Sequence, residues 1–475
     1  MARLEAELPN MDGKYLPETD GEADSVVVGT MPVKKFPIDI QPFLDILSAI
    51  GEIPDRFKEA VPDKSGAKIG LFEGLSAVSE QKMHFEQGKV SCGEFLDKNK
   101  KELENIVFGG SFSPEKMEEV LRKADGRPKA FSDKDDPYSE YYHNKSLEAL
   151  KMVVEKYRIH DVRLSIRWEE VTRNGQFDFG YYKDFLDYLL KSKYCMENDV
   201  KTCLNLGPVK VSRWKEDFVP KSVLEKLPAI PGPREHVTPK SELGKAGLEH
   251  LDTMLKYLIE NYKKEELARI GKVQANNEGF NPFGEHEWIM SDEFEKKCLQ
   301  KIHSYFPDSR LLVNSAGLLQ AARIRKLFNE LIEEDGTLQG KLVMGINYYY
   351  ALPPFAHIPV LRNIDTVTVT KIMAFRNLAA ENIRASRKDG YEIEITEAQM
   401  EPWGNVVSPG NSLHEFQGMV IRCNKTMLDQ KIKSVIRLWG LEEMAVKDMN
   451  GSLTQDHKDM IDLWGTVNNR ASVIV

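Results

Sequence analysis

The sequence predicts an α/β chain that closes into a (β/α)8 TIM barrel behind an N-terminal extension. Three observations lead there. Eight short strand-like runs recur from about residue 67 onward, amphipathic stretches of helical period separate them, and the chain has no glycine-rich phosphate turn. The last point counts against an open doubly wound sheet, which usually carries such a turn after its first strand. At 475 residues the chain is long enough for one large barrel with additions.

The candidate strands lie at 68–71, 162–168, 200–206, 271–276, 311–314, 343–349, 391–396 and 434–439. Between them, Tyr182, Phe185, Leu186, Leu189 and Leu190 form one stripe at helical spacing, and Leu248, Leu251, Leu255 and Leu258 form another. Residues 293–306 and 321–334 read the same way. Residues 1–66 begin acidic and are rich in Gly and Pro, which predicts a loosely structured arm. The barrel is expected over 67–450, with 451–475 as a C-terminal tail packed on it. An excursion of about 70 residues is expected after the first strand, and a second after the third, holding Trp214 and the proline-rich 227–239. Long excursions on a barrel's catalytic face commonly shape the cleft.

Bulk properties narrow the partners. The net charge is −9 and no basic run stands out, so nucleic acid and anionic membranes are poor partners and neutral substrates fit better. Cys92, Cys195, Cys203, Cys298 and Cys423 are scattered without close pairs, which predicts free thiols in a reducing compartment. The N-terminus lacks the apolar segment of a signal peptide, and no run of 18 apolar residues occurs, so the expectation is a cytoplasmic protein without a membrane span. His286 lacks the second histidine of a helical zinc motif. No metal or organic cofactor is expected, and the oligomeric state stays open.

Two glutamates carry the functional reading. Glu278 follows Asn277 at the end of the fourth strand, and Glu397 ends the seventh. In a barrel both reach the C-terminal mouth, where such folds keep their chemistry. A pair of carboxyls across a polar mouth is the usual apparatus for breaking a glycosidic bond. Period-two alternation puts Arg163, Ser165 and Arg167 on one face of the second strand, and Asn347 with Tyr349 on one face of the sixth. Trp439, on the eighth, offers an aromatic face to a sugar. A lone strand-end glutamate is usually a solvated end or a salt-bridge partner, and a lone tyrosine or tryptophan is usually packing. Their joint order along the chain is what favours a site.

At these residues the chain resembles the clan A glycoside hydrolases, and locally the family 1 β-glycosidases. The stretch from Asp161 through Arg163 and Ser165 to Trp168 is similar to that family's YRFSISW segment, Gly345 to Tyr349 to its GxNYY strand, and Ile395 to Glu397 to its ITENG strand. Asn277-Glu278 matches the clan's acid/base pair. The resemblance implies Glu278 as acid/base, Glu397 as nucleophile, Arg163 and Tyr349 as the residues orienting it, and Asn277 as a ligand of the sugar 2-hydroxyl. The pattern departs after Glu278, where Gly279 replaces the usual proline, and after Glu397, where Ala398-Gln399 replaces Asn-Gly. The third strand carries Asn205 and Gly207 without the histidine many families place there, so a family 5-like glycanase is the alternative. We list Asn205 with Arg163, Asn277, Asn347, Tyr349 and Trp439 as substrate-binding candidates.

The expected activity is retaining hydrolysis of a β-linked glycoside or oligosaccharide, with carboxyls about 5–5.5 Å apart. Glu394, on the opposite face of the same strand, and Glu401 are fallback nucleophiles. A transglycosidase using the same residues and a non-catalytic carbohydrate-binding barrel are the rivals. A lyase or aldolase would need a strand-end lysine, and Lys210 is the tempting one.

Overall fold

The computed structural model describes residues 91–99, 103, 106–127, 138–173, 176–213, 215–316, 320–348, 391–400, 410, 412–413, 415–420 and 434–472. Within them eight parallel strands close into a barrel. They are β1 (Ile106–Phe112), β2 (Asp161–Ser165), β3 (Lys201–Asn205), β4 (Ile270–Gln274), β5 (Arg310–Ala316), β6 (Leu342–Tyr348), β7 (Glu392–Gln399) and β8 (Ser434–Trp439). Each pairs with the next in sequence, and β8 pairs back to β1. Around them lie α1 (Pro114–Ala124), α2 (Ser139–Glu155), α3 (Gly180–Lys191), α4 (Glu242–Asn261), α5 (Asp292–Tyr305), α6 (Ala321–Glu334), α7 (Leu441–Met449) and α8 (Gln455–Ser472). No described helix is long and apolar enough to cross a membrane.

Seven expected strands overlap barrel strands; the first does not supply one. Residues 68–71 lie outside the described residues, as does the expected arm at 1–66, and the first place in the barrel belongs to β1. Helix α1 starts at Pro114, directly after β1, and α2, the helix before β2, starts at Ser139, so the excursion of about 70 residues expected to precede that helix does not follow β1. Gly109 and Gly110 hide this strand, because glycine weakens a strand pattern. Both are required by close approach. A Cβ at Gly109 would lie 2.8 Å from the Asp161 carbonyl oxygen, and one at Gly110 would lie 2.5 Å from Leu441 Cδ1.

Apolar burial is concentrated between the strands and the helices around them. Val162, Leu164, Leu204, Val273, Leu311 and Ile436 join Phe185, Leu189, Leu255 and Leu299 of the helices in one continuous core. Serines begin the packed helices: Ser113, Ser241 and Ser291 accept from the backbone N–H of Lys116, Gly244 and Phe294, satisfying donors that the first turn leaves open. Helix α8 is tied to β1 by Asn468, whose amide accepts from Phe108 N at 2.8 Å and donates to Phe108 O at 3.0 Å.

The barrel interior is mostly polar. Only Cys203, Leu312 and Val343 form a separate apolar patch there among the described residues. Beside it four charges interlock. Lys272 Nζ bonds Asp161 Oδ2 at 3.2 Å and Glu394 Oε2 at 2.8 Å, while Arg437 donates to Asp161 Oδ1 at 2.7 Å and to Glu394. Lys272 on β4 and Glu394 on β7 are not on neighbouring strands, so the pair spans the interior. Arg437 reaches Asp161 across β1 at Gly109, where an added Cβ would lie 2.9 Å from Arg437 Cγ. Two acids and two bases leave the cluster neutral.

Candidate active site

Arg163 is the hub. Alternation along β2 turns it inward, and it is fully buried. Its Nε donates to Gln274 Oε1 at 2.8 Å, Nη1 to Glu397 Oε1 at 2.7 Å, and Nη2 to Asn277 Oδ1 at 2.7 Å. A planar guanidinium can satisfy three such acceptors at once; an ammonium cannot hold the same fork. Strands β2, β4 and β7 are thereby joined through the barrel.

A belt of amides continues from it. Gln274 Nε2 donates to Asn314 Oδ1 at 2.7 Å, and Asn314 Nδ2 donates to Asn277 Oδ1 at 2.9 Å and Asn347 Oδ1 at 3.2 Å. Asn347 Nδ2 donates to Glu278 Oε1 at 2.5 Å, and the Glu278 backbone N–H donates to Asn314 Oδ1 at 2.8 Å. Both Glu278 and Glu397 therefore belong to one buried network on which their oxygens are fixed.

Two backbone departures aim these carboxyls. On β7, Ile395 pairs with Ile346 but Glu397 pairs with Asn347, and on the other edge three residues of β7 oppose two of β8. That is a β-bulge at Thr396, a device that re-aims side chains near sites. Thr396 Oγ1 donates to Asn347 Oδ1 at 2.6 Å. The extra residue lets Glu394 and Glu397, three apart, both face the interior, so the expectation that Glu394 lies on the opposite face is corrected. Glu394 is held by Arg437 and Lys272 instead. After β4, Glu278 takes φ +44°, in the left-handed region that costs a non-glycine residue energy and collects at functional turns.

The turn is braced from behind. Asn276 Nδ2 donates to Glu295 Oε2 at 2.8 Å, and Asn276 Oδ1 accepts from the backbone N–H of Val209 and Lys210. Burial raises the Glu295 carboxyl to about 7, against the lowering effect of the Asn276 bonds. Gly279 passes so close that a Cβ would lie 3.0 Å from Met290 Cγ. This contact stands where the family pattern has proline.

The remaining candidates fall as follows. Asn205, in the amide orientation that satisfies both its atoms, accepts from Arg163 Nη2 at 3.2 Å and Ser212 N at 3.1 Å. Trp439 lies at the end of β8 with Arg213 over its ring, 4.5 Å from the centroid, so one face of that indole is covered. Tyr349, Glu401 and Trp214 lie outside the described residues. Arg167 leaves the expected face, because β2 ends at Ser165; it approaches Glu115 at 3.8 Å and covers Phe218 at 3.9 Å. Lys210 is fully buried and donates from Nζ to Asn281 O at 2.9 Å.

Sequence reasoning missed Gln274 and Asn314, although inward positions on β4 and β5 were available as a signal. It also missed Glu216, in the loop after β3. Burial pushes this carboxyl well above the ordinary range; Lys210 opposes the shift, and Glu278, Glu397 and Asp217 add to it.

No family model matches the chain, and no curated protein matches it in sequence. Some solved structures are similar in part. An intracellular xylanase from Thermoanaerobacterium saccharolyticum is 14% identical, with 71% of this chain and 86% of that one covered at a TM-score of 0.40. A family 10 endoxylanase from a sugarcane soil metagenome is 12% identical over 78% of this chain and 99% of that one, at 0.43. Native xylanase 10B from Thermotoga maritima is 14% identical over 74% and 86%, at 0.41.

Proposed function

We propose that the chain is a retaining glycoside hydrolase of the clan A type, acting on a β-linked glycoside or oligosaccharide. The observation that carries this reading is the Arg163 fork, which ties Glu397 to Asn277 while Asn347 holds Glu278. Two carboxyls from β4 and β7 then share one network at the mouth, with different surroundings for different tasks.

In the first step a Glu397 oxygen attacks the anomeric carbon. The bond from that carbon to the leaving oxygen breaks, and Glu278 gives its proton to the departing oxygen. A glycosyl ester on Glu397 results. In the second step the Glu278 carboxylate takes a proton from water, whose oxygen attacks the same carbon and releases Glu397. Arg163, paired with Glu397 at 2.7 Å, orients the nucleophile and balances its charge. Asn277, its amide oxygen held by Arg163 and Asn314, presents its amide nitrogen to the hydroxyl beside the anomeric carbon.

The test is a panel of nitrophenyl β-glycosides and soluble glycans followed by Glu397→Ala on the best substrate. Turnover is expected to vanish in the variant and to return with azide as the glycosyl azide of inverted configuration. An active Glu397→Ala variant without azide sinks the assignment.

A further inference from the structure

Lys210 closes the run Gly207-Pro208-Val209-Lys210 after β3 and takes no step in the proposed chemistry. Its side chain is fully buried, a costly place for an ammonium unless it is paired and hydrogen-bonded. Three of its polar groups go to one place. Its backbone N–H donates to Asn276 Oδ1 at 3.1 Å, its carbonyl accepts from Asn277 N at 2.9 Å, and its Nζ donates to Asn281 O at 2.9 Å. These partners flank Glu278 on both sides. Asn281 N donates in turn to Glu278 O at 2.8 Å, closing a turn over 278–281. The approach is built into the loop: a Cβ at Gly207 would lie 1.9 Å from the Lys210 carbonyl oxygen, so only glycine leaves room for that carbonyl.

The turn needs such a hold. Glu278, at φ +44°, keeps a backbone conformation that persists in a non-glycine residue only where its surroundings over-determine it. Strand β4 lies between β3 and β5, and the turn that follows it is gripped from both neighbours. From β5, Asn314 Oδ1 accepts from Glu278 N at 2.8 Å, and Ala316 N donates to Asn281 Oδ1 at 3.4 Å. From the β3 side the grip is Lys210. Its two backbone bonds survive any replacement that keeps the loop in place, whereas the bond to Asn281 O belongs to the ammonium. Glu216 Oε2, 3.7 Å from Nζ, is the carboxylate that accompanies this cation.

We propose that Lys210 is a positioning residue for the acid/base: its Nζ fixes the 278–281 turn through the Asn281 carbonyl and thereby aims the Glu278 side chain at the leaving oxygen. The inference rests on the acid/base reading of Glu278 given above. A hydrogen bond from an ammonium to a carbonyl is stronger than one between neutral groups, and burial keeps water from replacing it. The role has a chemical signature. Proton donation matters in proportion to how poor the leaving group is: a dinitrophenolate departs without a proton, whereas an alkoxide has to receive one. Misaiming Glu278 therefore penalises poor leaving groups selectively, while a general loosening of the barrel penalises all substrates alike.

The experiment compares the full wild-type chain with Lys210→Met on a dinitrophenyl glycoside and an alkyl glycoside of the sugar that the wild type cleaves best. In the variant, kcat/KM is expected to fall by at least ~10²-fold on the alkyl glycoside and by no more than about tenfold on the dinitrophenyl glycoside. Falls of equal size on both substrates overturn the proposal, and so does the absence of a fall on either. Hydrogen exchange gives a readout that needs no turnover. Amides of residues 276–281 are expected to exchange about tenfold faster or more in the variant, with those of β7 and β8 unaffected. Exchange at the turn that matches the wild type overturns the proposal as well. If Lys210→Met does not fold because Glu216 is left alone, the double variant Lys210→Met with Glu216→Gln strands neither charge and carries the same expectations. Faster exchange at the turn in the variant, when the wild type cleaves no glycoside, leaves the hold of Lys210 on the turn standing and removes the hydrolase reading.

Discussion

Arg163 shows how much one side chain decides here. It serves Gln274, Glu397 and Asn277 from a fully buried position, so replacing it strands a carboxylate rather than merely losing a contact. Removing one partner of a buried pair costs about 3–5 kcal/mol. Arg163→Met is therefore expected to lower unfolding free energy by about that much in a urea titration and, in the proposed reaction, to reduce kcat by at least ~10²-fold through the misplaced Glu397. Arg163→Lys keeps the charge but not the fork, and falls between. A methionine variant as stable as the wild type removes the hub role. Arg163 was legible because alternation on a strand gives each residue a direction, and an inward arginine asks for a partner. Glu216 was not, since nothing in a loop sequence says which way a carboxylate points.

At the element scale, helix α5 stands behind the Glu278 turn, and its Glu295 accepts from both nitrogens of Asn276. The carboxyl rises from 4.5 to about 7 on folding, because it is buried. The unfolded chain therefore releases its proton at lower pH than the native chain does. Stability falls as pH rises between those two values, and above about 7 the full cost, on the order of 3 kcal/mol, is present. Glu295→Gln loses a hydrogen bond at every pH but escapes this cost. Urea titrations at pH 5 and pH 8 are expected to show the variant gaining on the wild type at the higher value; a pH-independent difference rejects the shift. The bulge in β7 belongs to the same scale and was invisible in the sequence, since register is set by what β6 and β8 offer opposite. Strand β1 escaped for the opposite reason: its two glycines read locally as a break and globally as clearance for Asp161 and Leu441.

For the whole molecule, the four-charge cluster links β2, β4, β7 and β8 through the barrel's interior. Arg437 and Lys272 hold Asp161 down at about 2 against its burial. A depressed carboxyl contributes stability that is complete above its unfolded pKa near 4 and disappears as pH falls through about 2, roughly 2 kcal/mol in all. Asp161→Asn should be less stable than the wild type by that order at pH 6, with the gap closing towards pH 2; guanidinium titrations measure it. A gap of constant size contradicts the assignment. The fold class was legible because strand and helix periods alternate along most of the chain. The polar interior was written there too, in Asp161, Arg163, Lys272, Gln274, Glu394 and Arg437 at every second position of strands that a buried parallel sheet would make apolar throughout.

That filled interior has a consequence for traffic. Among the described residues, Cys203, Leu312 and Val343 lie buried beside the interlocked charges in the barrel interior. In the proposed reaction, a cleaved-off fragment and an incoming water that share the mouth would take turns there, the first vacating before the second arrives. Turnover would then be paced by departures, and a sugar that lingers at the rim becomes a competing acceptor.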